Sequence, residues 1–475
     1  MTSPAAIRLE PVIGLEVHLA VRTESKLFCG CRADSFSEAP NSSTCPVCLG
    51  LPGSLPVVNR EAVEKAIMFS LALGCQVPSV TQFHRKNYFY PDSPYNYQIS
   101  QFDRPVGEHG EVELSTGRTI GVTRCHLEND AGRSVHPAYA PYSLVDLNRA
   151  GAPLIEMVTE PDLRTPEEAR EFLQLVRAVA QSLGVSDANP EEGKMRADVN
   201  VSLRPPGGPF GTKVEVKNLN SFKRVQRALE FEIKRQTRVL EEGGEVKQAT
   251  LGWDEGGQKT YLMRTKEEAS DYRYFPEPDL PPINIAESWL ADIRAATPEL
   301  PGARLARYLE LGLREEEAQL IAFDLSLATF FGAVLTAYKG EPQVAANWLV
   351  GDVSGQLRAA ETSLEAAGLR PEHLAELLSL IDKGSISGKI AKDILPEVIG
   401  GAAPGELVEA RGLSQISDTG KLEAVVERVW QANPELVERA RVNPKAINAL
   451  LGQVMRETGG QAKPDLVRQL LEAKL

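Results

Sequence analysis

Four of the six cysteines fall in one short stretch, as Cys29-Gly-Cys31 and Cys45-Pro-Val-Cys48. Two close thiolate pairs joined by a loop supply the four soft ligands of a tetrahedral zinc, and the intervening Gly and Pro permit the tight turns. Such a site leaves no coordination position open, so its role is structural: it pins a loop with few apolar residues of its own. The plainer reading is four reduced thiols without metal. Cys75 and Cys125 lack any such spacing and read as small buried hydrophobes.

A second set is rich in oxygen ligands. Side chains alternate between the two faces of a strand, so residues two apart share one. In Val12–Val21, Glu16 and His18 share the face opposite Ile13, Leu15, Val17, Leu19 and Val21. In the same way Arg124, His126 and Glu128 share a face in Val122–Glu128, Asp198, Asn200 and Ser202 in Ala197–Leu203, and Lys213, Glu215 and Lys217 in Thr212–Lys217. A sheet with one solvated face gives the same alternation. That kind of face is dominated by Lys, Glu and Thr, however, whereas this one collects His, Asp, Asn and carboxylates. Brought together on one divalent ion, Glu16, His18, Glu128, Asp198 and Glu215 form a catalytic site suited to Mg²⁺ or Mn²⁺, with Lys213 and Lys217 beside it to hold phosphate oxygens.

Residues His84–Asp92, followed by Tyr95, Tyr97 and Gln98, interleave basic, aromatic and amide side chains. They fit two readings: a surface that stacks a base and holds phosphate, with Lys86 as a nucleotide contact, or a Tyr-rich edge of the core. The helix expected from Ser221 onward carries Arg224, Arg227, Arg235 and Arg238 along a stripe diluted by glutamates, which reads as a solvated face. Gly384-Ser-Ile-Ser-Gly-Lys389 is not a phosphate loop: the glycines are too close, and Ile390 stands where a hydroxyl must meet Mg²⁺. No Gly-x-Ser-x-Gly elbow or Rossmann glycine pattern is present, so the chain does not read as a self-contained hydrolase.

The elements that must position these groups change character along the chain. Residues 1–290 alternate in short segments rich in Pro and Tyr, ending in the proline-spaced Asp271–Pro282, which reads as an extended wall. Residues 291–400 repeat apolar side chains three and four apart, as in Pro371–Ile381, and predict a helical bundle. Gly400–Gly405 has linker composition, and residues 401–475 read as a small helical tail domain. The fold class expected is α+β: an antiparallel-sheet domain with a zinc loop, a helical domain and the tail. The formal charge of −13 argues against a protein that coats DNA without specificity, while leaving room for local basic surfaces. No apolar run approaches the ~18 residues of a membrane span, and the N-terminus lacks a secretory pattern, so a cytoplasmic chain is expected.

The segments Val12–His18, Arg85–Asp92, Tyr97–Asp103, Ser143–Arg149, Lys217–Phe222 and Asp271–Asp279 together resemble the B subunits (GatB) of tRNA-dependent amidotransferases. The resemblance runs over essentially the whole chain. It implies a heterotrimer with an amidase A subunit and a small C subunit that converts Glu-tRNA(Gln) or Asp-tRNA(Asn) to the amide. The B subunit would hold the tRNA end in a cradle-shaped domain, phosphorylate the side-chain carboxylate with ATP and Mg²⁺, and admit ammonia. The family's metal positions fall on Glu16, His18, Glu128, Asp198 and Glu215, with one departure: Asn129 follows Glu128 where the family often has paired acids. The cysteine quartet matches members that retain zinc, and the tail matches the tRNA-contacting region. A non-catalytic tRNA scaffold and a metal-dependent small-molecule kinase are the competing accounts.

Overall fold

The computed structural model describes residues 8–35, 38–265, 272–414, 419–443 and 446–475. In β1 (Glu10–Ala20), Ile13, Leu15, Val17 and Leu19 are at most 1% exposed, whereas Glu16 and His18 on the opposite face are half-buried. Seven more strands extend this sheet: β2 (Gly107–Glu113), β3 (Thr119–Asn129), β4 (Pro153–Thr159), β5 (Met195–Arg204), β6 (Val214–Leu219), β7 (Ala249–Asp254) and β8 (Lys259–Thr265). Their spatial order is β8-β7-β6-β5-β1-β4-β3-β2. All neighbours are antiparallel except β6 and β7. A parallel pair needs a crossover, and helix α3 (Phe222–Glu241) lies between those strands in the chain.

Helices close one face of the sheet. Helix α1 (Arg60–Ala72) starts on Asn59, whose side chain accepts the Ala62 N–H, and α2 (Pro166–Ser182) starts on a reciprocal Thr165/Glu168 cap with Pro166 in its first turn. Ile67, Phe172 and Leu229, one from each helix, are fully buried in the same core as Leu15 and Val17. The polar face of β1 and its neighbours is thereby left to other work. The arginine stripe of α3 is ion-paired: Arg224 and Arg227 reach Glu255, Arg235 reaches Glu232, and Arg238 reaches Glu242.

A small sheet stands beside the large one, with Phe275–Pro276 paired to His84–Asn87 and that strand paired to Tyr97–Ser100. Arg85 clamps it, donating to both oxygens of Glu277 at 2.7 and 2.8 Å, and Glu277 is only 2% exposed. Asp271, at the start of the proline-spaced segment, lies outside the described residues. Glu277→Ala removes two charge-assisted hydrogen bonds but leaves Arg85 its 3.3 Å contact with Asp279, so the variant is expected to cost about 1.5–3 kcal/mol in chemical denaturation. A loss under about 1 kcal/mol would show that the clamp is not what holds this strand.

The chain divides by packing into a unit ending at Leu300 and a second unit, Pro301–Leu475. The second is helical among its described residues and holds two apolar clusters, one from Tyr308 to Val408 and one from Leu422 to Leu471. Residues 400–403 connect the helices Gly388–Ile399 and Pro404–Ala410, so Pro404 and Gly405 are already helical, and Val408 packs into the first cluster. No single helix among the described residues is long and apolar enough to cross a membrane.

Candidate active site

The strand order brings the polar faces of five adjacent strands together. Across β1 and its neighbours, Glu16 stands opposite Asp198 and His18 opposite Glu156; Glu156 in turn faces His126 on β3, and Asn200 faces Glu215 on β6. The five expected ligands fall into two neighbouring trios rather than around one point: His18, Glu128 and Glu156, and Glu16, Asp198 and Glu215. Within each trio one ligand atom per residue lies within 4.8 Å of the others. Glu156 was not among the residues expected from the sequence. Each trio fits a hard divalent ion, the first through two carboxylates and an imidazole, the second through carboxylates alone.

A cavity of about 500 Å³ opens beside both trios, with His18 and Glu128 from one and Asp198 from the other in its wall. Its remaining lining includes the cations Lys86, Arg196, Lys217 and Arg264 and the rings of Tyr88 and Tyr272. Lys86 holds its ammonium 5.1 Å above the Tyr272 ring. Burial alone would lower its pKa, but the charge of Glu128 keeps it raised. Arg196 is anchored at 3.3 Å to Asp130, which also holds Arg149 at 3.2 Å. Lys217 is clamped by Asp198 at 2.7 Å and Glu215 at 3.1 Å. Lys213 is not brought to the cavity. It precedes the last ladder pair, Val201 with Val214, so strand alternation no longer aims it, and it is exposed.

His126 is 3% exposed, with Nε2 3.4 Å from Glu156 and 3.7 Å from Glu128. Burial favours the neutral ring, but the charges of Glu156 and Glu128 beside it override that and push the pKa up to about 9. Glu156, although desolvated, is held well below the usual carboxylate range by His126 and His18. A raised imidazole contributes stability that is complete below its ordinary value of 6.5 and is lost as pH rises through about 9. A depressed carboxylate contributes stability that is complete above its ordinary value of 4.5 and is lost as pH falls through its folded value. In the metal-free chain the pair's contribution is therefore expected to peak between 4.5 and 6.5 and to decline toward about 9. Urea denaturation from about pH 6 to 9.5 should show that decline, and His126→Gln should flatten it. An unchanged slope in the variant would contradict the assignment.

The cysteine quartet also assembles: one sulfur from each of Cys29, Cys31, Cys45 and Cys48 lies within 4.8 Å of the rest. A tetrahedron with Zn–S near ~2.3 Å has edges of about 3.8 Å, so the four sulfurs fit a structural metal. Cys48 Sγ accepts the Cys45 N–H at 3.1 Å and lies 3.7 Å from Lys26 Nζ. A hydrogen bond from Cys29 pushes the Cys48 thiol down to about 5 against its burial. Cys75 and Cys125 are buried, at 5% and 0% exposure.

Residues 11–291 match the family described as the GatB/GatE catalytic domain, and residues 329–475 match the GatB domain. The chain belongs to the GatB family. A relative from Deinococcus radiodurans, named as the B subunit of an aspartyl/glutamyl-tRNA(Asn/Gln) amidotransferase, is 56% identical over 474 residues, covering 98% of this chain and 99% of its own. A Thermus thermophilus protein of the same name is 57% identical over 463 residues, covering 97% and 98%. One from Carboxydothermus hydrogenoformans is 50% identical over 476 residues, covering 98% of each. Both trios, the cavity and the quartet lie within the region matched to the GatB/GatE catalytic domain.

Proposed function

We propose that this GatB-family chain is the component of a tRNA-dependent amidotransferase, a carbon–nitrogen ligase, in which the side-chain carboxylate of Glu-tRNA(Gln) or Asp-tRNA(Asn) is activated and amidated. The observation that carries this reading is the pair of ligand trios side by side at one cavity that also presents four cations. A carboxylate is a poor electrophile because oxide is a poor leaving group. A carboxylate oxygen attacks the γ-phosphorus of ATP, ADP departs, and the resulting acyl phosphate is an electrophile; ammonia then adds, phosphate leaves, and a proton is released. Mg²⁺ held by His18, Glu128 and Glu156 and by Glu16, Asp198 and Glu215 would neutralise the charge shared by phosphoryl and acyl oxygens. Lys86, Arg196 and Arg264 orient the phosphates, Tyr88 and Tyr272 offer faces to a base, and the cavity shelters the activated ester from water.

The sequence carries no Gly-x-Ser-x-Gly elbow, which fits delivery of ammonia from a partner amidase, the A subunit, in a heterotrimer with a small C subunit. In the same reading the quartet holds zinc, residues 1–290 form the cradle, residues 291–400 a helical domain and residues 401–475 the tRNA-binding tail. The test is an assay of the complex with each misacylated tRNA, ATP and an ammonium salt, following amide and ADP together. Equimolar amide and ADP are expected. Amidation that persists undiminished in Asp198→Ala would instead favour the scaffold account, with the chemistry housed in a partner.

A further inference from the structure

Lys217 stands in an unexpected place for a group meant to hold phosphate. Its ammonium donates to Asp198 Oδ2 at 2.7 Å and lies 3.1 Å from Glu215 Oε1, two of the three carboxylates in the Glu16 trio. A cation on a flexible stem thus sits where a hard divalent ion would find its oxygens. The carboxylates themselves are fixed by neutral donors: Asn200 Nδ2 donates to Glu16 at 3.0 Å and Thr250 Oγ1 to Glu215 at 2.8 Å. Those two hydrogen bonds can persist whichever cation balances the trio. Lys217, by contrast, lines the cavity with its side chain 32% exposed, so the ammonium has room to leave.

We propose that Lys217 is a tethered placeholder: a positioning residue that holds Asp198 and Glu215 together until a divalent ion displaces it, and whose freed ammonium then meets phosphoryl oxygens in the cavity. This rests on reading the trio as a divalent-ion site. Three clustered carboxylates repel one another without a cation, and the exchange keeps one cation among them at every stage. It also links the two events, since the phosphate contact becomes available only when the ion has arrived.

The test is Mn²⁺ binding to the full chain, followed by the electron-paramagnetic signal of free Mn²⁺, in a Glu156→Gln background that takes a ligand from the other trio. Lys217→Met has no ammonium to displace and is expected to bind Mn²⁺ at least about tenfold more tightly than the parent. Lys217→Arg, which keeps the charge, should stay within about threefold of it. A purely structural lysine predicts the opposite, weaker binding with a lowered melting temperature. Equal or weaker binding by folded Lys217→Met overturns the proposal alone; no Mn²⁺ binding by any variant or by the unsubstituted chain overturns the divalent-ion reading as well. A measurement on the unsubstituted chain covers the case in which Lys217→Met does not fold. In ¹⁵N-lysine-labelled protein the Lys217 ammonium protons should exchange slowly while clamped and fast once Mg²⁺ saturates the site, and an unaltered signal overturns the proposal.

Discussion

Glu156→Gln is expected to lower ATP-dependent amide formation from an ammonium salt by about 10³-fold while the chain stays folded. Glu156 Oε2 lies 3.3 Å from His18 and 3.4 Å from His126, and the residue is 8% exposed. The substitution keeps the shape but removes the charge that both imidazoles share and an anionic ligand from the first trio. A divalent ion contributes several kcal/mol of charge stabilisation in a phosphoryl-transfer transition state, and about 1.4 kcal/mol is tenfold in rate, which sets the magnitude. Glutamine hydrolysis by the proposed partner amidase should be untouched in the same complex, because its chemistry lies elsewhere. Steady-state amide formation with saturating ammonium separates the two activities. A variant within tenfold of the parent would move the phosphoryl chemistry away from this trio.

Glu156 also shows where a sequence stops being readable. β1 and β5 each bury one apolar face, so period-two alternation singles out Glu16, His18 and Asp198 without any structure. β4 reads Pro153-Leu-Ile-Glu-Met-Val-Thr159, with Leu154 and Val158 on the same side as Glu156. Alternation therefore has nothing to separate. The usable signal was a different one: a lone carboxylate in an apolar strand is costly to bury unless it finds a partner, and here it finds two histidines. The division into two trios was not legible at all, because it depends on the lateral order β6-β5-β1-β4-β3, which chain order does not give. Lys213 and Lys217 look equivalent as letters on one strand face, yet only Lys217 lies within the ladder that aims it at Asp198. In the helical half, apolar spacing located helices well, whereas Gly400–Gly405 has the same composition whether it links domains or turns between packed helices.

Stripping the proposed zinc from the cysteine quartet is expected to open the surrounding loop, to an extent that Lys26 sets. This lysine is fully buried; Nζ donates to the Ser43 carbonyl at 2.8 Å and to Cys48 Sγ at 3.7 Å, and among the described residues no carboxylate lies within 4.0 Å of it. A buried cation without a carboxylate must find its balancing charge elsewhere, and here only thiolate sulfur is placed to supply it. Four thiolates around Zn²⁺ carry a net charge of about −2, so the ion keeps the sulfurs deprotonated and the lysine balanced. Gly151, at φ +88°, closes over the pair, since a Cβ there would come 3.3 Å from Cys48 Cβ and 3.6 Å from Lys26 Cδ. Removal of the metal forfeits binding free energy on the order of 10 kcal/mol and lets Cys29 and Cys31 protonate, which leaves the Cys48 thiolate and the ammonium as the contact still holding the loop. Limited proteolysis after chelation should then cut near Cys45–Val57 while the sheet core stays resistant, and Cys48→Ser should reproduce the pattern without chelator. Lys26→Met separates the causes: it removes the partner of the Cys48 thiolate, so its stripped loop should be cut several-fold faster than that of the parent. Were Lys26→Met and the parent cleaved at equal rates once zinc is gone, the loop would be held by coordination alone, and the buried ammonium would have no part in keeping it closed.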